Sequence, residues 1–128
     1  MSLDRYRPQM LAVLRIMTGL LFLAHGTQKL FGFPAPAPAG MPAGLAYAAG
    51  LLETVGGLAI VIGLFTRQVA FVLAGMMAVA YFMAHAPQGF YPSLNKGEAA
   101  VLFCFVYLYL FVAGSGTWSV DAMRAKAP

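Results

Sequence analysis

Four apolar stretches, separated by shorter polar or Pro/Gly-rich segments, make up most of the chain. They cover approximately residues 9–31, 44–65, 69–86 and 99–116. Each approaches the roughly 20 apolar residues that a helix needs to cross a bilayer. Because lipid cannot satisfy unpaired backbone groups, the pattern predicts helices and not loops at membrane depth. We therefore expect an all-α membrane protein: a four-transmembrane-helix bundle that forms a single domain over residues 1–128.

The segments between these stretches differ in length. Residues 33–42 read FPAPAPAGMP, which predicts an extended, polyproline-like loop, and residues 87–97 form a second long loop. Only residues 65–68 separate the second and third stretches, which predicts a tight antiparallel hairpin. We expect the first stretch to be a retained span and not a cleaved signal peptide, since its A-x-A triplets lie well beyond the apolar core.

Composition narrows the class of protein. Of the 128 residues, 61% are hydrophobic and 9% are charged, whereas a soluble domain carries about 25% charged residues. A soluble domain and a disordered chain are therefore both excluded. The single cysteine, Cys104, excludes a disulfide scaffold and has no second thiol in this chain for dithiol chemistry. The net charge of +4 comes from scattered side chains, so no nucleic-acid surface is expected.

The basic residues indicate a direction through the membrane. With the N-terminus inside, five of them face the cytoplasm (Arg5, Arg7, Arg67, Arg124 and Lys126) and two face outward (Lys29 and Lys96). The positive-inside rule then places the N-terminus and the C-terminus in the cytoplasm. The predicted location is the inner (cytoplasmic) membrane, in a multi-pass arrangement with the lipid bilayer as the first partner.

Ionisable residues inside the apolar stretches are the first candidates for function, because charges in hydrocarbon are costly. At about 1.5 Å per residue, Glu53 lies about 13 Å below the outer end of its span, and Arg15 about 24 Å below the outer end of the first. The deep tier therefore holds Glu53 and Arg15. An outer tier is expected to surround one outward-opening cavity, and it comprises His25, Lys29, His85 and Glu98.

Structural alternatives to a functional role stay open for these side chains. Arg15 either extends to the cytoplasmic headgroups or pairs with Glu53. Glu53 is expected to bond to His25 or Tyr109, with Arg15 acting from below. The two histidines, His25 and His85, would alternatively bond to loop carbonyls, and Lys29 with Glu98 would form a surface ion pair of little value. No metal-ligand spacing and no redox-cofactor motif occurs, so no metal and no intrinsic cofactor is predicted.

Four motifs together resemble the DoxX family of small bacterial and archaeal membrane proteins, and they occur in the family's order along nearly the whole chain. They are Arg15-x3-Gly19-x5-His25-Gly26-x2-Lys29-Leu30, Glu53-x2-Gly56-Gly57, Asn95-Lys96-Gly97-Glu98 and Ser119-x-Asp121. The third motif usually reads Asn-Gly-Gly-Glu in the family, so Lys96 stands where a glycine is usual. The resemblance makes Gly26, Gly57 and Asp121 motif positions for which we expect a structural role.

The resemblance also implies a function. Members of the family are associated with a terminal quinol oxidase, a thiosulfate:quinone oxidoreductase and redox-stress complexes. The first hypothesis is therefore a membrane subunit or accessory protein of a respiratory redox system, which binds quinone or docks a redox partner protein. The alternatives are a small-solute transporter or permease, and a structural scaffold without catalysis. A second copy of the chain, in a homo-oligomer, is the alternative to a redox partner protein, and catalysis by the chain itself stays open.

Overall fold

The computed structural model describes residues 1–127, and throughout that range the regular structure is helical, with no β-strand. Beyond a 3-10 turn at Leu3–Tyr6, the helices are α1 (Arg7–Phe31), α2 (Ala43–Ile62), α3 (Thr66–Ala80), α4 (Pro92–Asn95), α5 (Glu98–Ala113) and α6 (Val120–Ala125). A π-helical turn, Tyr81–His85, and a 3-10 turn, Ala86–Gln88, continue α3. The expected all-α class is confirmed.

Local residue types explain where the helices begin and end. Pro8 occupies the first turn of α1, where a missing N–H removes no helical hydrogen bond. Gly32 and Gly63 terminate α1 and α2 in the left-handed conformation, with φ of 65° and 69°. The predicted second stretch therefore ends at Ile62, three residues early, and the following turn contains only residues 63–65.

Three helical segments are long and apolar enough to cross a membrane: Leu3–Phe31, Ala43–Ile62 and Thr66–Gln88. The fourth predicted span corresponds to α5, which is apolar but has only 16 residues. The length and apolar composition of these helices are those expected for membrane-spanning segments.

The described chain divides into two compact units. The first contains Met1–Thr66 together with the C-terminal segment from Ser115, and the second contains Arg67–Gly114. In the first unit, α1 and α2 run antiparallel, because Arg15 near the start of α1 contacts the end of α2, while Lys29 near the end of α1 contacts Glu53.

Glycines set the spacing between α1 and α2. A Cβ at Gly57 would lie 2.9 Å from the Leu23 nitrogen, and a Cβ at Gly19 would lie 2.9 Å from the Val61 nitrogen. Gly26 and Gly50 lie against the opposite helix in the same way. The backbones of α1 and α2 are therefore in direct contact, as small residues permit in membrane helix pairs.

The C-terminal segment covers one end of this helix pair. The Thr117 N–H donates to the Pro8 carbonyl at 3.3 Å, and the Asp121 N–H donates to the Gly63 carbonyl at 2.9 Å. The start of α1, the end of α2 and α6 consequently lie at the same end of the first unit.

In the second unit, side chains near the beginning of α3 contact the end of α5. The Arg67 guanidinium donates through Nη1 to the Phe111 carbonyl at 2.9 Å and also to the Val112 carbonyl. The rings of Phe71 and Phe111 pack with their centroids 5.2 Å apart. These two helices are therefore also antiparallel.

The glycine contact predicts a difference between two Gly→Ala variants. Gly57→Ala places a methyl group against the α1 backbone and should destabilise the protein by about 1–3 kcal/mol. Gly75→Ala, in α3, meets nothing within 4 Å and should be neutral or stabilising, by roughly 0.5–1 kcal/mol. Thermal unfolding in detergent, followed by circular dichroism, measures both. Equal melting temperatures for the two variants would contradict the close contact.

Candidate functional site

A buried ion pair joins α1 to α2. Lys29 Nζ lies 3.0 Å from Glu53 Oε1 and 2.7 Å from Oε2, so the ammonium group contacts both carboxylate oxygens. The side chains are only 8% and 6% exposed. Side chains on a helix lean toward its N-terminus, which explains how Lys29, in the last turn of α1, reaches back to Glu53.

This pairing corrects two predictions. Glu53 was expected to bond to His25 or Tyr109, with Arg15 acting from below, and the ion-pair partner that the structure shows, Lys29, was not among the expected ones. Lys29 in turn was grouped with Glu98 as a surface pair, whereas its side chain is buried. The depths of Lys29 and Glu53 were each counted from the outer end of their own span. The register of α1 against α2, which brings the two side chains together, did not enter that count.

Arg15 forms a separate site at the other end of α1. It is fully buried, and its guanidinium donates five hydrogen bonds to backbone carbonyls. The acceptors and distances are Ser115 at 2.8 Å, Ile60 at 2.8 Å, Val61 at 2.5 Å, Thr117 at 3.2 Å and Trp118 at 2.8 Å. A guanidinium group carries five N–H donors, so all of them are satisfied.

Both expectations for Arg15 are therefore wrong. It neither extends to the headgroups nor pairs with Glu53, because it caps the carbonyls at the end of α2 and holds the C-terminal segment on them. A cation is favourable there, since the C-terminal end of a helix carries partial negative charge. Gly63 lies in the same site, and a Cβ at that position would lie 3.0 Å from Arg15 Nη1.

Asp121, one of the motif positions, holds the turn between α2 and α3. Its carboxylate accepts the backbone N–H of Phe65 at 2.9 Å and of Thr66 at 2.8 Å. Burial by itself would raise its pKa, but the hydrogen bonds from Thr66 and Phe65 and the charge of Arg124 outweigh this, and the pKa is lowered. This contribution to stability is therefore complete above the ordinary carboxyl pKa and is lost as the pH falls through the lowered one.

The other motif positions lie in the contact between α1 and α2. Gly26 lies against Glu53 and Thr54, and Gly57 lies against Gly19 and Leu23. Neither position has room for a side chain without a shift of the helices.

The second unit has a buried polar centre at Asn95. The Asn95 Nδ2 group donates to the Tyr81 hydroxyl at 3.2 Å and to the Gly89 carbonyl at 2.6 Å, and Oδ1 accepts the Gly97 N–H at 2.9 Å. The Tyr81 hydroxyl donates to the Phe90 carbonyl. The sequence marked Asn95 only as part of a turn, because nothing local shows that its amide is buried.

His85 belongs to this centre. Its Nδ1 lies 3.0 Å from the Asn95 carbonyl, and its ring stacks on Tyr81 at a centroid distance of 6.3 Å. This is the bond to a loop carbonyl that was the structural alternative for the histidines. Glu98 is exposed at the start of α5. Tyr109 is 56% exposed, whereas Tyr107, two residues earlier, is fully buried.

His25 is exposed on α1, one helical turn before Lys29. An imidazole at this position can be reached from outside the helix pair. The expectation that His25 and His85 line one cavity with Lys29 and Glu98 stays a prediction.

Three apolar helical segments that are long enough to cross a bilayer define the chain as a helical membrane protein. Residues 10–86 match the family model described as DoxX, and the chain belongs to the DoxX family. The resemblance drawn from the four motifs is thereby confirmed.

Three curated relatives cover most of the chain. An "Uncharacterized protein" of Haemophilus influenzae is 41% identical over 126 residues, with 94% of each chain covered. "Inner membrane protein YqjF" of Escherichia coli is 28% identical, covering 89% of this chain and 91% of the relative. "Putative oxidoreductase CatD" of Bacillus subtilis is 26% identical, covering 89% and 86%. No solved structure matches the chain.

The turn before α5 generates a prediction about Lys96. Lys96 has φ of 62°, a left-handed conformation that is unfavourable for a residue with a Cβ. Lys96→Gly should stabilise the protein by roughly 0.5–1 kcal/mol, because glycine adopts this conformation without a steric penalty. Lys96→Ala is the matched control, since it removes the same side chain and keeps the Cβ. Unfolding in detergent compares them, and equal stability of the two variants would contradict the strained backbone.

Proposed function

We propose that this protein is a membrane subunit of a redox system and that the Lys29–Glu53 pair, with His25, forms its contact with a quinone. The observation that carries the proposal is the burial of two opposite charges between apolar helices. A buried ion pair is often no more stabilising than apolar residues of the same size, so stability alone is a weak reason for it. Ionisable groups among membrane helices are usually functional.

Two polar side chains near the outer end of α1 support the proposal of a quinone ligand. Lys29 supplies an ammonium donor, and the exposed imidazole of His25 lies one turn away on the same helix. An apolar slot with a few polar groups is what a quinone ring requires.

These residues would handle protons and not electrons. Lys29 would donate a hydrogen bond to a ring oxygen, and Glu53 would pass a proton between Lys29 and His25. A bound quinone would supply the two-electron chemistry, with the electrons coming from a partner redox protein. The name of the Bacillus subtilis relative, "Putative oxidoreductase CatD", agrees with a redox role.

The quinone proposal predicts which variants lose the ligand. Protein purified in mild detergent from a quinone-containing membrane should carry quinone, detectable by solvent extraction and mass spectrometry. Glu53→Gln should lose most of it, while Glu98→Gln, at an exposed carboxylate, should retain it. Glu53→Gln also leaves Lys29 buried without its counter-charge. We therefore expect this variant to lower the free energy of unfolding by about 3–5 kcal/mol.

The charge swap Lys29→Glu with Glu53→Lys separates stability from function. The swapped side chains can again form an ion pair, so the protein should accumulate and unfold much like the wild type. The ammonium group would then lie on α2 instead of α1, and we expect the protein to lose quinone. Wild-type quinone retention in the swapped protein would show that the pair is structural. Absence of quinone from the wild type, together with solute uptake by proteoliposomes, would favour the transporter hypothesis instead.

We also propose four crossings of the inner (cytoplasmic) membrane, with both termini in the cytoplasm. Contact of Thr117 with Pro8 supports an even number of crossings, because it brings the C-terminal segment to the end where α1 begins. The fourth crossing would be α5, whose 16 residues span about 24 Å, and local thinning of the bilayer would accommodate it. The distribution of basic residues supports the direction.

Cysteine labelling tests this topology. In a background with Cys104→Ser, Ala37→Cys and Ser93→Cys should react with an impermeant maleimide in intact cells. Gln68→Cys should react only after the membrane is permeabilised. All three positions are exposed, so accessibility of the side chain is matched. Labelling of Gln68→Cys alone in intact cells would invert the orientation, and labelling of only one of the two loop positions would exclude four crossings.

A further inference from the structure

The end of the first unit that carries the C-terminal segment exposes the single tryptophan of the chain. Trp118 is 64% exposed and has φ of 54°, which is unfavourable for a bulky residue. Its carbonyl accepts a hydrogen bond from Arg15 Nη2 at 2.8 Å. The fully buried Arg15 thus holds this backbone in place, and the indole ring is left on the surface.

A second aromatic ring is presented in the same way. Phe65 has φ of 49° and is exposed, and its N–H is held by Asp121. The guanidinium carbon of Arg124 lies 4.8 Å from the centre of the Phe65 ring. Met123, beside Arg124 on α6, is also exposed. Apolar and cationic side chains therefore alternate over this end of the unit.

The charges at this end are mainly positive. The exposed cations are Arg5, Arg7, Arg124 and Lys126. Asp4 pairs with Arg7 at 2.6 Å, and Asp121 directs both carboxylate oxygens to backbone N–H groups. The cations of α6 and of the N-terminal turn therefore outnumber the carboxylates that face them. The hydrogen bond from the Thr117 N–H to the Pro8 carbonyl keeps these two segments together.

We infer that these residues form an interfacial surface that lies in the headgroup layer of an anionic leaflet. The surface comprises Arg5, Phe65, Trp118, Met123, Arg124 and Lys126. Tryptophan and phenylalanine beside basic residues are the usual composition of such a layer, with the rings at the boundary and the cations on lipid phosphates. The surface continues directly from the apolar helices α1 and α2, so a bilayer around them reaches it. This inference is independent of quinone binding.

The single tryptophan makes the position measurable without a label. The full chain is reconstituted in vesicles of phosphatidylcholine and phosphatidylglycerol that contain a nitroxide either on the headgroup or deep on the acyl chain. Fluorescence of Trp118 should be quenched more by the headgroup nitroxide than by the deep one, and only weakly by aqueous acrylamide. Strong acrylamide quenching with little effect of either nitroxide would place the ring in water and overturn the inference.

A second measurement tests the choice of anionic lipid. Native mass spectrometry from mixed vesicles should show that the wild type retains phosphatidylglycerol in preference to phosphatidylcholine. The double variant Arg124→Gln with Lys126→Gln should lose roughly fivefold of this preference for each charge removed. Lys96→Gln, an exposed cation of the second unit, should keep it. An unchanged preference in the double variant would overturn the assignment of these cations to lipid phosphates.

Discussion

Direct contact between the backbones of α1 and α2 is the constraint on which the first unit depends. Glycines on both helices allow it, and a Cβ at Gly19 or Gly57 would collide with the opposite backbone. The contact fixes the register that brings Lys29 to Glu53 near one end and Arg15 to the carbonyls of α2 at the other. The close approach of the two helices satisfies Lys29, and together with the C-terminal segment it satisfies Arg15.

The two cations are neutralised by different means. Lys29 has a carboxylate at 2.7 Å, whereas the guanidinium of Arg15 donates to five backbone carbonyl groups. Carbonyl groups at a helix end offer partial charges that cannot be protonated, so the Arg15 site is suited to a fixed structural role. An ion pair between two titratable groups can exchange protons, which is why the proposed function rests on Lys29 and Glu53.

The same use of arginine occurs in the second unit. Arg67 donates to the carbonyls of Phe111 and Val112, three and two residues before Gly114. In the same way, Arg15 donates to Ile60 and Val61, three and two residues before Gly63. In each unit, an arginine on the first long helix satisfies carbonyls in the last turn of the second. Arg67 contributes to the predicted topology as a positive charge, but its structural role comes from this contact.

Hydrophobic pattern and composition determined the class of protein, the approximate helices and the burial of Glu53, because lipid solvation acts on every residue of a span alike. The family motifs predicted a structural role for Gly26, Gly57 and Asp121. Only the tertiary structure decided that Glu53 pairs with Lys29, that Arg15 binds carbonyls, and that Tyr107 and not Tyr109 is buried. Partners of a buried charge also depend on the register of one helix against the other, and residue spacing along one helix carries no information about that register.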